Sequence, residues 1–181
     1  RVFGSPAAGG ETVSYTPFDK TQAQIVGVSP LVRDAILVGL NNRDPKFHDV
    51  HRLDLASGKL TLLRQNSGWS NWIVDMQLKV RGASKQTPAG GFEVYRFDGE
   101  QAVKLMDIAP EDGLTSEPLN FDADGNTLYM LSSQGRNTAA LVAVDFANGS
   151  TRVLCEHGRA DIATVLTHPA TGRPDAFAAS Y

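Results

Sequence analysis

Apolar and polar residues alternate with a period of two along most of this chain, in short runs separated by turn-forming clusters. Runs such as Gln24–Val28, Ala35–Leu40, Val50–Leu55, Val94–Phe97, Thr127–Leu131 and Val142–Phe146 send successive side chains to opposite faces of an extended backbone, the pattern of half-buried strands. The clusters between them, Ser57-Gly58, Asp98-Gly99, Asp122-Ala123-Asp124-Gly125-Asn126 and Ala147-Asn148-Gly149, have a turn chemistry of their own. Asp and Asn oxygens accept backbone N–H groups, and Gly supplies the left-handed backbone that such turns need. Apolar spacing of three and four residues is nowhere sustained long enough for a helix. The pattern predicts an all-β chain.

Three segments repeat it in register: Val50 to Leu60, Val94 to Glu100 and Val142 to Ser150. Each is an alternating strand ending in an apolar residue and Asp, then a polar turn with Gly, then another strand. The aspartates, Asp54, Asp98 and Asp145, are spaced 44 and 47 residues apart. A period of about 40–50 residues with four strands per unit is that of a β-propeller. The expectation is a partial propeller of four-stranded antiparallel blades, about three full blades plus two half blades. Residues 1–16 read as the outer strands of a preceding blade, 17–66, 67–110 and 111–157 as full blades, and 158–181 as the inner strands of a following one. The second blade's inner strands are placed at Asn71–Asp75 and Gln77–Val80. Opening on Arg1 and stopping inside a strand pattern at Tyr181, the chain reads as an excerpt of a longer protein. The two terminal strand pairs are expected to meet in one composite blade, because unpaired sheet edges are costly.

Charge and chemistry narrow the function by elimination. The 17 Lys and Arg residues are scattered among 20 Asp and Glu, without the basic stripe that nucleic-acid phosphates demand. No apolar run approaches the roughly 18 residues of a membrane-spanning helix. Neither nucleic acid nor membrane is an expected partner. Cys155 is the single cysteine, so no internal disulfide marks an oxidising compartment, and cytoplasm and periplasm are equally compatible. Gly68-Trp69-Ser70 and Gly82-Ala83-Ser84 match only the first half of a Gly-x-Ser-x-Gly nucleophile elbow, and neither precedes a helix. His48 and His51 sit three apart on a strand, which points them to opposite faces and away from a shared ion. Asp122, Asp124 and Asn126 resemble the start of a calcium loop but lack its downstream Glu. No Walker lysine follows the glycines of Gly4 to Gly10. No catalytic residue, cofactor or metal site is expected. The long polar connections, Asn41–Phe47, Arg81–Gly91 and Ser132–Thr138 among them, fall together on one face, where loops on a rigid scaffold carry interactions.

Three stretches carry a family resemblance. Leu119 to Met130, with Asn120-Phe121-Asp122-Ala123-Asp124-Gly125-Asn126 at its centre, resembles the repeat unit of the Tol-Pal periplasmic propeller and of prolyl-oligopeptidase-family serine peptidases. Asn42-Arg43-Asp44-Pro45-Lys46-Phe47-His48-Asp49-Val50-His51-Arg52-Leu53-Asp54-Leu55, followed by Ser57-Gly58 and Gln65-Asn66, is more specific. With Ile73 to Arg81, it resembles the N-terminal propeller of bacterial acylaminoacyl-peptidase or dipeptidyl-aminopeptidase-like members of that family. The resemblance implies a C-terminal α/β-hydrolase domain in the same polypeptide, carrying Ser, Asp and His, and a propeller that gates access of peptide substrates. None of those three catalytic residues maps onto this segment. The candidate docking and gating residues are Arg43, Asp44, Lys46, His48, Trp69, Trp72, Arg81, Lys85 and Arg136, as carboxylate-steering charges and exposed aromatics. The alternative is a stand-alone interaction scaffold of the Tol-Pal type. A propeller lactonase is a weaker third, since Asp75 and Asp122 lie only at the ends of the expected innermost strands.

Overall fold

The computed structural model describes residues 1–180; Tyr181, counted above in the last strand, lies outside the described residues. It divides into two compact units, residues 1–69 and 70–181. Apart from one 3-10 turn at Pro110–Asp112, every regular element among the described residues is a β-strand, and every pairing is antiparallel.

The first unit holds a short ribbon, β1 (Phe3–Gly4) with β2 (Val13–Ser14), and a four-stranded sheet. The sheet runs in chain order through β3 (Ala23–Ser29), β4 (Val32–Asp44), β5 (Phe47–Asp54) and β6 (Leu60–Arg64). Val2, Val38, Leu40 and Leu53 form its core. The ribbon is tied to the sheet by the Tyr15 hydroxyl, which donates to the Leu55 carbonyl at 2.8 Å. Asn41 to Phe47, expected as a loop, is mostly strand: Asp44 pairs with Phe47 and only Pro45-Lys46 turn. These polar residues lie beyond the core, where a ribbon needs ladder hydrogen bonds but no apolar side chains. Composition there said loop; backbone pairing decided strand.

The second unit holds two four-stranded sheets and a hairpin. β7 (Asn71–Val74), β8 (Val80–Gln86), β9 (Phe92–Asp98) and β10 (Gln101–Ile108) form the first sheet. β11 (Glu117–Phe121), β12 (Thr127–Ser132), β13 (Ala140–Asp145) and β14 (Thr151–Cys155) form the second, and β15 (Asp161–Thr167) with β16 (Pro174–Ser180) the hairpin. Alternation explains the stacking. Leu128, Met130, Val142 and Val144 join Ile73, Val94 and Ile108 of the neighbouring sheet in one core, while Tyr129, Leu131, Leu141 and Ala143 meet Ile162 of the hairpin on the other face. A sheet buried on both faces loses polar positions and reads as a continuous apolar run, as Leu128–Leu131 and Ala139–Val144 do. Each fully buried Leu or Met contributes about 1.5–3 kcal/mol. Three four-stranded sheets and two two-stranded pairs are the blades and half blades that the repeats predicted.

The turn chemistry is shared between blades. Asp54 Oδ1 accepts the Ser57 N–H at 2.7 Å, and Asp145 Oδ1 accepts the Ala147 N–H at 2.8 Å. At the first turn of the next two sheets, Asp75 Oδ1 accepts from Gln77 and Lys79, and Asp122 Oδ1 from Asn126 and Thr127. The strand expected at Gln77–Val80 is therefore corrected: residues 75–79 form this turn, and β8 begins at Val80. Leu78 mimicked a strand residue because it is buried, yet its φ of 58° puts it in the left-handed conformation that Gly125 adopts, at 70°, in the following blade.

Gly172, in the β15–β16 turn, has φ of 68°, and a Cβ there would strike the Phe121 carbonyl and the Met76 sulfur. The same turn meets β11 through Asn120 Nδ2, which donates to the Gly172 carbonyl at 2.7 Å. Gly172→Ala is expected to cost about 2 kcal/mol or more, combining backbone strain with a clash against an immovable carbonyl. Hydrogen exchange should then quicken first in β15 and β16.

Candidate functional site

In the first unit, two of the candidates, Arg43 and Trp69, are joined through a residue that the sequence did not single out. Asp49, on β5, is 2% exposed. Its Oδ2 accepts from Arg43 Nε at 2.6 Å and its Oδ1 from Arg43 Nη2 at 2.8 Å, a two-pronged pairing of guanidinium and carboxylate. Asp49 Oδ1 also accepts the Asn66 N–H at 2.7 Å, and Arg43 Nη2 reaches the Asn66 carbonyl at 3.0 Å. Asn66 in turn shapes the following loop: its Oδ1 accepts from Gly68 and Trp69 N–H groups, and its Nδ2 donates to the Trp69 carbonyl. The network thus fastens the β4–β5 turn to the loop that carries Trp69. Burial pushes the Asp49 carboxyl up, but the Arg43 guanidinium and the Asn66 N–H outweigh it and hold the group below the ordinary carboxylate range. Asp44 ends β4 and accepts the Lys46 N–H; Lys46 is exposed and His48 half-buried on β5. The missed signal was period two: Asp49 shares a strand face with the core residue Leu53, and a carboxylate on an inward face must be paired.

In the second unit the candidates separate. Trp72 lies on β7, its ring 6.3 Å from that of Phe97, and lines a cavity of about 480 Å³ with Gln86, Phe92, Glu117 and the fully exposed Leu114. The loops beside it are stiffened by hydroxyl bonds. Ser133 Oγ donates to Asp112 Oδ1 at 2.6 Å and lies 2.7 Å from Thr115 Oγ1, while the Ser133 N–H donates to Ser116 Oγ. Asp112 thus takes the serine hydroxyl directly and ties the two loops together. Arg136, on the β12–β13 loop, donates to the Ser132 carbonyl and pairs with Glu156. Arg81 and Lys85, expected on a loop, are strand residues of β8, because the turn before them falls earlier than composition suggested. Lys85 is exposed. Arg81 donates to Asp75 Oδ2 at 3.1 Å. Burial pushes the Cys155 thiol up from its ordinary range.

No protein-family model matches the chain. It is 42% identical over 174 residues to dipeptidyl aminopeptidase BIII of Pseudoxanthomonas mexicana, covering 95% of this chain and 25% of that protein. This chain is homologous to a segment of a dipeptidyl aminopeptidase. Dipeptidyl peptidase family member 6 of Caenorhabditis elegans is 27% identical over 171 residues, covering 83% of this chain and 23% of that protein. The chain thus spans about a quarter of the length of these curated relatives. Among solved structures, TolB from Acinetobacter baumannii superposes with a TM-score of 0.57 at 17% identity, over 84% of this chain and 36% of that one, a likeness of fold alone. The kinship expected from Asn42–Leu55 agrees with this similarity to dipeptidyl aminopeptidases, on propeller architecture. Of the first-unit candidates, Arg43 is paired with Asp49, and the Trp69 N–H is held by Asn66.

Proposed function

We propose that the segment is a non-catalytic propeller portion of a serine peptidase, gating peptide access to an α/β-hydrolase domain of the same polypeptide and docking against it. The observation that carries the reading is the 42% identity, across 95% of this chain, to one quarter of a dipeptidyl aminopeptidase. Gating requires loops that hold their shape while excluding bulky substrates and water. The two hydrogen-bonded clusters support it, one on Asp49 and Asn66, the other on Asp112 and Ser133. Trp72 and Leu114 offer apolar contact beside the second.

The test uses the complete protein that carries this segment. A gate predicts that Leu114→Ser and Trp72→Ala change kcat/KM for long peptides several-fold while a dipeptidyl p-nitroanilide is turned over nearly as before. Residues 1–181 alone should show no hydrolysis of that substrate. Serine-inhibitor-sensitive turnover by the segment alone would overturn the non-catalytic reading, and equal effects on short and long substrates would overturn the gate. A gene in which no Gly-x-Ser-x-Gly elbow follows residue 181 would favour a stand-alone scaffold instead.

A further inference from the structure

Within the second unit, a cavity of about 620 Å³ is lined by three arginines, Arg81, Arg96 and Arg152. A β-bulge aims the first of them. Along β7 and β8 the pairing passes from Ile73 with Gly82 to Val74 with Val80, which leaves Arg81 as the extra residue. Bulges re-aim a side chain in this way. The guanidinium is then locked by Asp75, by Phe121 and Phe146, whose ring centres lie 5.4 and 5.8 Å from its carbon, and by Gly125, where any Cβ would strike its Nη1. A guanidinium has five N–H donors. Among the described residues only Nη1 of Arg81 has a protein acceptor, Asp75.

Arg96 comes from the adjacent strand. It pairs across β8 and β9 with Gly82, and cross-strand partners share a sheet face. That face looks onto Phe146, because a Cβ on Gly82 would lie 3.1 Å from the Phe146 Cζ. Arg96 therefore projects toward the same ring as Arg81, over the gap that Gly82 leaves. Neither Arg96 nor Arg152 has an ion-pair partner among the described residues. The wall's one acidic residue, Asp145, already accepts from the Ala147 N–H and from Asn148 Nδ2, which hold it to its own turn. With Arg81 paired to Asp75, the wall still carries two further arginines, Arg96 and Arg152, against the single carboxylate of Asp145.

We propose that this cavity binds a small oxyanion, a carboxylate or a phosphate ester, through Arg81 and Arg96. A planar guanidinium matches two oxygens of such a group at once, and a half-buried one pre-aligned by its neighbours gives up little freedom on binding. The site is independent of the peptidase reading.

The complete protein should bind citrate or inorganic phosphate saturably in calorimetry, at ionic strength held constant with sodium chloride. Citrate alone would mark a carboxylate site and phosphate alone a phosphate-ester site. Arg96→Gln is expected to weaken binding roughly tenfold, as loss of a charge-assisted hydrogen bond does, and Arg96→Lys by less. Arg33→Gln, in the first unit, should bind as the parent does. No saturable heat from either anion, or unchanged affinity in Arg96→Gln with its melting temperature preserved, would overturn the site.

Discussion

Asp49→Ala is expected to destabilise the first unit by about 3 kcal/mol, since it strands a buried amide and removes the buried partner of an ion pair. Asp49 accepts two bonds from Arg43 and one from the Asn66 N–H, and Asn66 then positions Gly68 and Trp69. Loss should therefore spread along that relay. Hydrogen exchange across residues 41–50 and 64–69 is the direct readout, with denaturant unfolding as the global one. The effect has a pH signature. The folded Asp49 carboxyl titrates below its ordinary value of 3.8, so its contribution is present above that value and is lost as pH falls through the lower, folded one. Asp49→Asn should accordingly be less stable at neutral pH and show a shallower acid limb below about pH 4. Parallel acid limbs for the two proteins would refute the pairing.

Phe121→Ala should cost the second unit about 4 kcal/mol, within the range for emptying a buried aromatic site. Phe121 is fully buried, meets Phe146 edge-on with ring centres 4.8 Å apart, and carries the Arg81 guanidinium above its ring. The cavity would open between two sheets that hold each other by this contact. Phe121→Leu, which keeps most of the volume, should lose far less. A second readout separates packing from the arginine: oxyanion binding at Arg81 and Arg96 should weaken in Phe121→Ala even under conditions where it is fully folded. An unfolding midpoint within error of the parent would show that Phe121 is not central to this core.

How far the residues alone could take the fold depended on what each residue's role required. Asp54 and Asp145 cap equivalent turns because an aspartate followed closely by glycine does so with local atoms only, so their spacing exposed the repeat directly. Where a local pattern imitated another, the reading slipped. Gln77 to Val80 alternate as a strand would, yet Leu78 is buried from within a turn, its N–H donating to the Asp75 carbonyl. Asn41 to Asp44 are polar enough for a loop, yet pair as a ribbon.

The candidate residues divide the same way. That Arg43 and Trp69 belong to one arrangement could not be read, because Asp49 and Asn66, which join them, lie 17 positions apart in the chain. Arg81 was legible as a cation but not as a strand residue, and its direction comes from a bulge created by pairing with β7. By itself, then, the sequence determined most of the strands and their grouping in fours, since alternation, turn chemistry and repetition are properties of neighbours along the chain, while the peptidase kinship rested on the resemblance of particular motifs such as Asn42–Leu55. Only the tertiary structure decided which charges are neutralised and which face a cavity, because electrostatics depends on distance in space, and strands from separate turns set those distances.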